Sequence, residues 1–389
     1  MPKQRTILAP QGPMKRLAAT LGFGLLVSVF AVLPTPAQPY KLAVAGLVHP
    51  HVWGHLQEIL DGKEAKLVGI ADSAPEFLAE AKKRGAADAL LFSDYREMIE
   101  KTKPDIVWSF TENNRHLEIV QFCAPRKIQV MFEKPLATKY VDALQIQQLA
   151  QKHGVQVMVN YQMAWWPANH AAKAVADSGA LGQVWRRRGI VGFGGPSSKG
   201  LGKYSFDAFT DPERNGGGAL GDFQCYGALW SLWYMGRPEK VYCQLNHFRP
   251  ELWPKVDDNF TLILSYPKGV GLFEGSWNLP RLFQDLEVVG LEGSVTLTYG
   301  GPAAPQKVQL QKGRNKWQVE EVPLEPLPPE RAAPIAYLVH ALKAGKPVEG
   351  QVGLEMNVGV VEILEAARLS AASGQAIPLP LPKPVIEAK

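Results

Sequence analysis

From residue 41 to about residue 160, short apolar runs alternate with amphipathic stretches. The runs at 41–47, 66–71, 105–110, 128–132 and 155–160, with a shorter one at 90–92, have strand character. Between them, residues 52–60, a stretch ending at Arg84, 115–124 and 141–153 repeat apolar positions at helical spacing. Strands and helices in alternation predict a parallel, doubly wound α/β sheet of Rossmann type. Ligands of such sheets sit in crevices beyond the carboxyl ends of the strands.

The pattern changes after Pro167. One helix is predicted over 168–178, followed by extended runs at 184–191, 240–248, 259–266, 269–277, 286–291 and 294–299. Short turns such as Pro267-Lys268-Gly269 and Glu292-Gly293 join several of them. They predict an open-faced, mostly antiparallel sheet, so the second half is α+β. A Gly-rich helical segment at 216–235 interrupts it, and helices at 332–343 and 354–372 follow. The Pro-rich stretch 378–389 reads as a loose tail. The division is therefore a nucleotide-type domain over 38–160 and a substrate and oligomerisation domain over 161–377. An uncovered sheet face predicts a homodimer or homotetramer built through it.

A chain of 389 residues is long for one core, which agrees with two domains. The net charge of +5 is carried by scattered lysines and arginines without a basic run, so nucleic acid is not an expected partner. Three cysteines, Cys123, Cys225 and Cys243, lie in apolar segments and make no disulfide framework. The N-terminus adds a location. Met14-Lys15-Arg16 precedes an apolar stretch over 17–32, and Thr35 and Ala37 are small residues suited to a cleavage site. Residues 1–37 are thus expected to be a signal peptide of an exported, periplasmic or extracellular protein, tied to a membrane only if that segment is retained.

Candidate chemistry begins where the first strand ends, at Gly46-Leu47-Val48-His49-Pro50-His51. A dinucleotide fingerprint asks for glycine at three positions, and only Gly46 fits; Val48 and His51 occupy the others. Asp72 closes the second strand, close to the spacing of about 20 residues for an acid that binds ribose hydroxyls. A carboxylate there repels a 2′-phosphate and favours NAD over NADP. His49 and His51, with His55 nearby, also suggest the opening of a metal-binding barrel. That reading needs further His and Asp ligands at later strand ends, which the chain does not supply, so no metal is expected. Trp53, Trp165 and Trp166 are candidates for an apolar floor beneath a sugar ring.

Several motifs then fall in order. Thr111-Glu112-Asn113-Asn114-Arg115-His116 ends the fourth strand, and Glu133-Lys134-Pro135 ends the fifth. Asn160-Tyr161-Gln162, the run from Gly216 to Asp222, and the run from Ala366 to Ala372 follow. Together they resemble the Gfo/Idh/MocA oxidoreductase family over nearly all of the chain beyond the signal segment. The resemblance implies NAD bound by Gly46, Leu47, His51, Asp72, Thr111, Asn113, His116, Glu133, Lys134 and Gln162. It implies catalysis by Lys134, Asp222 and Tyr226, with these three and Trp165 and Trp166 contacting substrate. Tyr226 stands where the family commonly has histidine; the glucose–fructose oxidoreductase type has tyrosine there. A phenol there needs a nearby cation to act as a base near neutrality. Other departures are Glu112 in place of proline, Leu229 in place of an aspartate, and no arginine near Trp165.

The implied activity is hydride transfer on a sugar or polyol. Because free NAD is expected to be scarce outside the cytoplasm, a tightly held cofactor is expected. Two alternatives remain open at this point. One is redox-neutral, NAD-dependent glycoside cleavage; the other is a sugar-binding protein that kept the fold without catalysis.

Overall fold

The structure, a computed structural model, describes residues 39–299, 301, 305–313 and 318–384. The expected signal peptide lies outside the described residues. Among those described, no helix is long and apolar enough to cross a membrane.

The first sheet is built by β1 (Tyr40–Ala45), β2 (Ala65–Ala71), β3 (Leu91–Phe92), β4 (Ile106–Ser109), β5 (Gln129–Glu133) and β6 (Val157–Asn160). Its order is β3-β2-β1-β4-β5-β6 and every pairing is parallel. The inner strands are apolar on both faces, as helix-covered parallel strands must be. Leu42 to Ala45 and Ile106 to Trp108 have no exposed surface. The crossovers are α1 (His51–Asp61), α2 (Pro75–Lys83), α3 (Tyr95–Thr102), α4 (His116–Cys123) and α5 (Tyr140–His153). The pattern did not predict α3, whose start is marked by Asp94 accepting the Glu97 amide at 2.9 Å.

After α6 (Pro167–Asp177) the chain enters the second sheet at β7 (Val184–Gly192). Two short helices, α7 (Ser198–Leu201) and α8 (Lys203–Phe209), lead to the long α9 (Ala219–Met235). Then come β8 (Lys240–Asn246), β9 (Asn259–Tyr266), β10 (Gly269–Ser276), β11 (Phe283–Gly290), β12 (Gly293–Thr298), β13 (Lys307–Lys312) and β14 (Val319–Glu321). The chain ends with α10 (Pro334–Lys343), α11 (Leu354–Ser373) and β15 (Ile377–Pro378). The nine-stranded order is β14-β13-β12-β11-β7-β10-β9-β8-β15, antiparallel except for β7 beside β10. The architecture is thus the expected α/β sheet joined to a mostly antiparallel one.

Helix α9 covers one face of the second sheet and is buried along residues 219–231. It comes so close that a Cβ on Gly227 would lie 2.2 Å from the Phe273 ring. The helix starts later than the sequence pattern suggested, because Gly216 and Gly217 hold positive φ angles of 88° and 127°. The tail also differs from expectation. Ile377 and Pro378 pair with β8, and the Leu381 amide donates to Glu362 at 2.8 Å.

Candidate active site

The strand order reverses between β1 and β4, which places the ligand crevice of this sheet beyond their carboxyl ends. Gly46 leaves β1 there with φ 81°, and a Cβ would sit 2.6 Å from Thr111 Cγ2. Only glycine lets the two strand ends close on each other. Asp72, buried after β2, accepts the Leu47 amide at 2.6 Å and the Ala74 amide at 2.8 Å. Burial raises its pKa, and the two amides counter that only in part. Two of the loop amides that could meet a phosphate are paired too. His49 N donates to Phe110 O at 2.9 Å, and His51 N to His49 Nδ1 at 3.3 Å. Pro50, at the start of α1, has no amide to give.

The rest of the crevice is filled by the segment between β7 and α9. Ser205 Oγ donates to Val48 O at 2.8 Å, and Tyr204 OH to Glu112 Oε1 at 3.2 Å. The Tyr204 ring stands edge-on to Phe77 with centroids 5.5 Å apart. The Phe209 ring lies 5.3 Å from His49, whose pKa burial holds well below its ordinary value. Beyond α8, Arg214 O accepts the Asn114 amide at 3.1 Å, and Asn215 Oδ1 accepts Asn113 Nδ2 at 2.8 Å. Beside these contacts lie a 10 Å³ cavity at His49 and Asn113 and a 60 Å³ cavity at Gly46 and Asp72.

At the end of β5, Glu133 and Lys134 point apart. Lys134 reaches α9, with Nζ 2.5 Å from Asp222 Oδ1 and donating to Asp222 O at 3.1 Å. Trp277 Nε1 donates to Asp222 Oδ2 at 3.1 Å. Tyr226 lies one helical turn on, its ring centroid 5.4 Å from Nζ. Burial opposes the charge on Lys134, but Asp222 and the other acidic neighbours outweigh it, and the ammonium keeps its proton beyond the ordinary range. Burial pushes the Tyr226 phenol up as well, and Lys134 offsets this only partly. In this structure burial outweighs Lys134 and shifts the phenol away from the anionic form that a base would need.

Glu133 turns the other way. Its Oε2 lies 2.8 Å from His51 Nδ1, and its Oε1 accepts Asn160 Nδ2 at 2.8 Å. Burial raises its carboxyl pKa, but His51, His55 and Asn160 bring the net shift below the ordinary value. His116 lies beneath this turn, with Nδ1 3.0 Å from Leu136 O and its ring stacked 4.2 Å from Phe132. Burial lowers its pKa to about 4, so it is a neutral prop for the 134–136 turn.

Residues 43–161 match the profile of the oxidoreductase family with an NAD-binding Rossmann fold, and residues 169–296 match the GFO/IDH/MocA C-terminal domain. The chain belongs to the Gfo/Idh/MocA oxidoreductase family. It is 26% identical to levoglucosan dehydrogenase of Pseudarthrobacter phenanthrenivorans, over 59% of this chain and 64% of that protein. It is 24% identical to D-xylose 1-dehydrogenase (NADP(+)) 2 of Haloferax volcanii, over 77% of this chain and 89% of that one. Aldose-aldose oxidoreductase from Caulobacter crescentus, solved with glycerol, has a TM-score of 0.74 at 20% identity, over 88% of this chain and all of that one (100%). Levoglucosan dehydrogenase in complex with NADH and levoglucosan has a TM-score of 0.72 at 22% identity, over 88% of this chain and 100% of its own. The solved structures establish a shared fold.

Within this family pattern, Gly46, Leu47, Asp72, Thr111 and Asn113 gather at the crevice, and Lys134, Asp222 and Tyr226 gather at the end of β5. His51, Glu133 and His116 lie beside the second group, and the other expected residues are dispersed. Gln162 is exposed. Trp165 donates to Asn160 Oδ1 at 2.8 Å and faces a separate 220 Å³ cavity with Trp233, Tyr337 and Arg331. Trp166 stacks 4.9 Å from Tyr299, and Trp53 lies against Phe77 and Arg84. The three tryptophans form no common floor, because each ring is held by a different partner. Sequence reasoning missed Tyr204, Ser205, Phe209 and Trp277. The aromatic run over 203–209 was the one available signal for the first three.

The strand ends fit a dinucleotide: Gly46 permits close backbone approach, and Asp72 stands where a ribose acid belongs. The space between them does not, since small-molecule sites take about 300–1,000 Å³. Helix α8 closes over that space, with Tyr204 and Ser205 hydrogen-bonded to Glu112 and Val48.

Proposed function

We propose that this protein is an exported NAD-dependent oxidoreductase acting on a hydroxyl of a sugar or polyol, with its cofactor held beneath α8 and its open sheet faces paired in a homo-oligomer. The observation that carries the reading is the buried Lys134–Asp222 pair with Tyr226 beside it, at the strand end next to the switch-point crevice. The relatives named above, dehydrogenases of levoglucosan and xylose, support sugars as the substrate class.

Bound nicotinamide would accept the hydride from the carbinol carbon. The chain's own residues do the rest. Lys134, kept charged by Asp222, donates to the reacting oxygen and stabilises the negative charge that develops there. The hydroxyl proton passes to the Asp222 carboxylate, the basic member of the pair, while Lys134 stays an ammonium. Tyr226, a neutral phenol, orients the same oxygen by hydrogen bonding. Trp277 fixes the second carboxylate oxygen of Asp222, so the carboxylate cannot rotate away from Lys134. The Asp72 carboxylate disfavours a 2′-phosphate, which supports NAD over NADP.

The filled crevice favours a second reading, a sugar-binding protein that no longer turns over. One experiment separates the two. The secreted, mature protein is purified, its N-terminus is read by mass spectrometry, and any nucleotide released on denaturation is identified. NAD near one per chain, with sugar-dependent reduction that Lys134→Ala abolishes, supports the oxidoreductase. Sugar binding without release or uptake of any nucleotide supports the second reading.

A further inference from the structure

Three side chains that take no part in the Lys134–Asp222 pair meet at the carboxyl edge of the first sheet. His49 and His51 follow β1, and Glu133 ends β5. One nitrogen from each imidazole and one oxygen of the carboxylate all lie within 4.8 Å of one another. The closest two, His51 Nδ1 and Glu133 Oε2, are 2.8 Å apart. The imidazole rings meet edge to face, with centroids separated by 4.4 Å.

Charge balance points the same way. Glu133 is fully buried, and a buried carboxylate is costly without a compensating cation. Lys134, its neighbour in sequence, is engaged by Asp222 instead. Among the described residues, no lysine or arginine forms an ion pair with Glu133; its hydrogen bonds are to His51 and the neutral Asn160.

We infer that His49, His51 and Glu133 form a binding site for a divalent transition-metal cation of the zinc type. Two imidazoles and one carboxylate are a donor set that such ions favour. Zinc bonds of about 2.0–2.2 Å place tetrahedral ligand atoms roughly 3.3 Å apart. No edge of the cluster therefore needs to contract by more than about 1.5 Å. A second layer already orients the carboxylate. Asn160 Nδ2 donates to Glu133 Oε1 at 2.8 Å, and Asn160 Oδ1 accepts Trp165 Nε1 at 2.8 Å. The His51 side chain is 24% exposed, which gives an ion a route from solvent. Three protein ligands leave a position for water or a substrate oxygen. The third donor is a glutamate, which a search for His and Asp at later strand ends passes over.

The test uses the full mature protein after chelator treatment, titrated calorimetrically with Zn²⁺ and, separately, Mg²⁺. One Zn²⁺ per chain is expected, with no saturable Mg²⁺ binding, because imidazole suits zinc and not magnesium. His51→Ala and the isosteric Glu133→Gln should each weaken zinc at least about 100-fold, and Asn160→Ala about 10-fold. Thermal melts of the three variants establish that they are folded. Absence of stoichiometric zinc binding by the wild type would overturn the site, as would unchanged affinity in folded His51→Ala and Glu133→Gln. His51 and Glu133 also stand among the residues that the resemblance assigns to NAD, but the readout is zinc affinity without turnover, so its failure is distinguishable from failure of the nicotinamide reading.

Discussion

Lys134 has its charge fixed by one neighbour and its isolation fixed by the core around it. Breaking a buried pair by removing one partner destabilises by about 3–5 kcal/mol, because the other charge is left without compensation. Asp222→Asn keeps the shape and removes the charge. It should lower turnover by about 10²–10³-fold, the magnitude of one preorganised electrostatic contact, and should lower the melting temperature as well. Steady-state kinetics and a thermal melt check both. A stable, fully active Asp222→Asn would mean that Lys134 does not act through this pair. His116 gives a second residue-level test through pH. Its folded pKa is about 4, against an ordinary value near 6.5. Between those values the unfolded chain binds more protons, so stability rises with pH and is lost as pH falls from about 6.5 toward 4. The slope approaches 1.4 kcal/mol per pH unit, for about 3 kcal/mol in all. Urea unfolding of wild type and His116→Gln across this window should converge at low pH, since only the wild type carries this loss. Parallel curves would remove His116 as the titrating group.

Helix α8 closes the crevice proposed for the dinucleotide, so where it has to open for binding, its contacts enter the apparent affinity. Tyr204 supplies a hydrogen bond to Glu112 and an edge-on contact with Phe77, together worth about 1–2 kcal/mol. Tyr204→Ala should therefore tighten NAD binding about 5- to 30-fold, read by calorimetry or nicotinamide fluorescence. Weaker binding would make Tyr204 part of the cofactor site and not its competitor. Helix α9 is constrained differently. Gly227→Ala gains helix propensity but drives a methyl group into the Phe273 ring, and overpacking of this kind costs about 1–3 kcal/mol. Urea unfolding measures that loss. These two helices also mark what the sequence made legible. The first sheet could be read because its strands are continuous apolar runs between helices of ordinary length. Lys134, Asp222 and Tyr226 could be read because their motifs are local. The role of α8 could not, since its buried face is defined only by a crevice that distant strands assemble. Nor could the pairing of Glu133 with His51, which joins the ends of two strands that are not adjacent in the sheet. β13 does alternate, with Val308 and Leu310 buried, but the two- and three-residue β15 and β14 are fixed by pairing across the sheet and are too short to carry a periodic signal.

At the scale of the whole molecule, the second sheet has one face under α6, α9 and α11, while on the other Ile190, Ile263 and Leu272 are only half-buried. On the open face, neighbouring strands align Ile263 with Leu272 and Leu272 with Arg188. Ile190 and Glu274 form the next row. Arg186 meets Glu287 at 3.3 Å, and Arg188 meets Glu274 at 3.8 Å. An apolar centre bordered by opposite charges on adjacent strands suits a two-fold interface, where each arginine row can also meet the partner's acidic row. A stable pairing buries more than about 1,000 Å² in total, an area that a sheet of this breadth can supply. Leu272 is half-buried while its neighbour Phe273 points inward to α9, so Leu272→Glu alters the open face and leaves the core intact. Light scattering should find a dimer or tetramer for the wild type and a smaller species for Leu272→Glu, with the melt of the variant still cooperative. A monomeric wild type would leave the open face to another partner. The same variant separates assembly from chemistry, because Asp222 and Tyr226 approach from α9 on the opposite side of the sheet. Turnover retained in a dissociated Leu272→Glu would show that each chain carries a complete site; its loss would show that pairing holds α9 in register with Lys134.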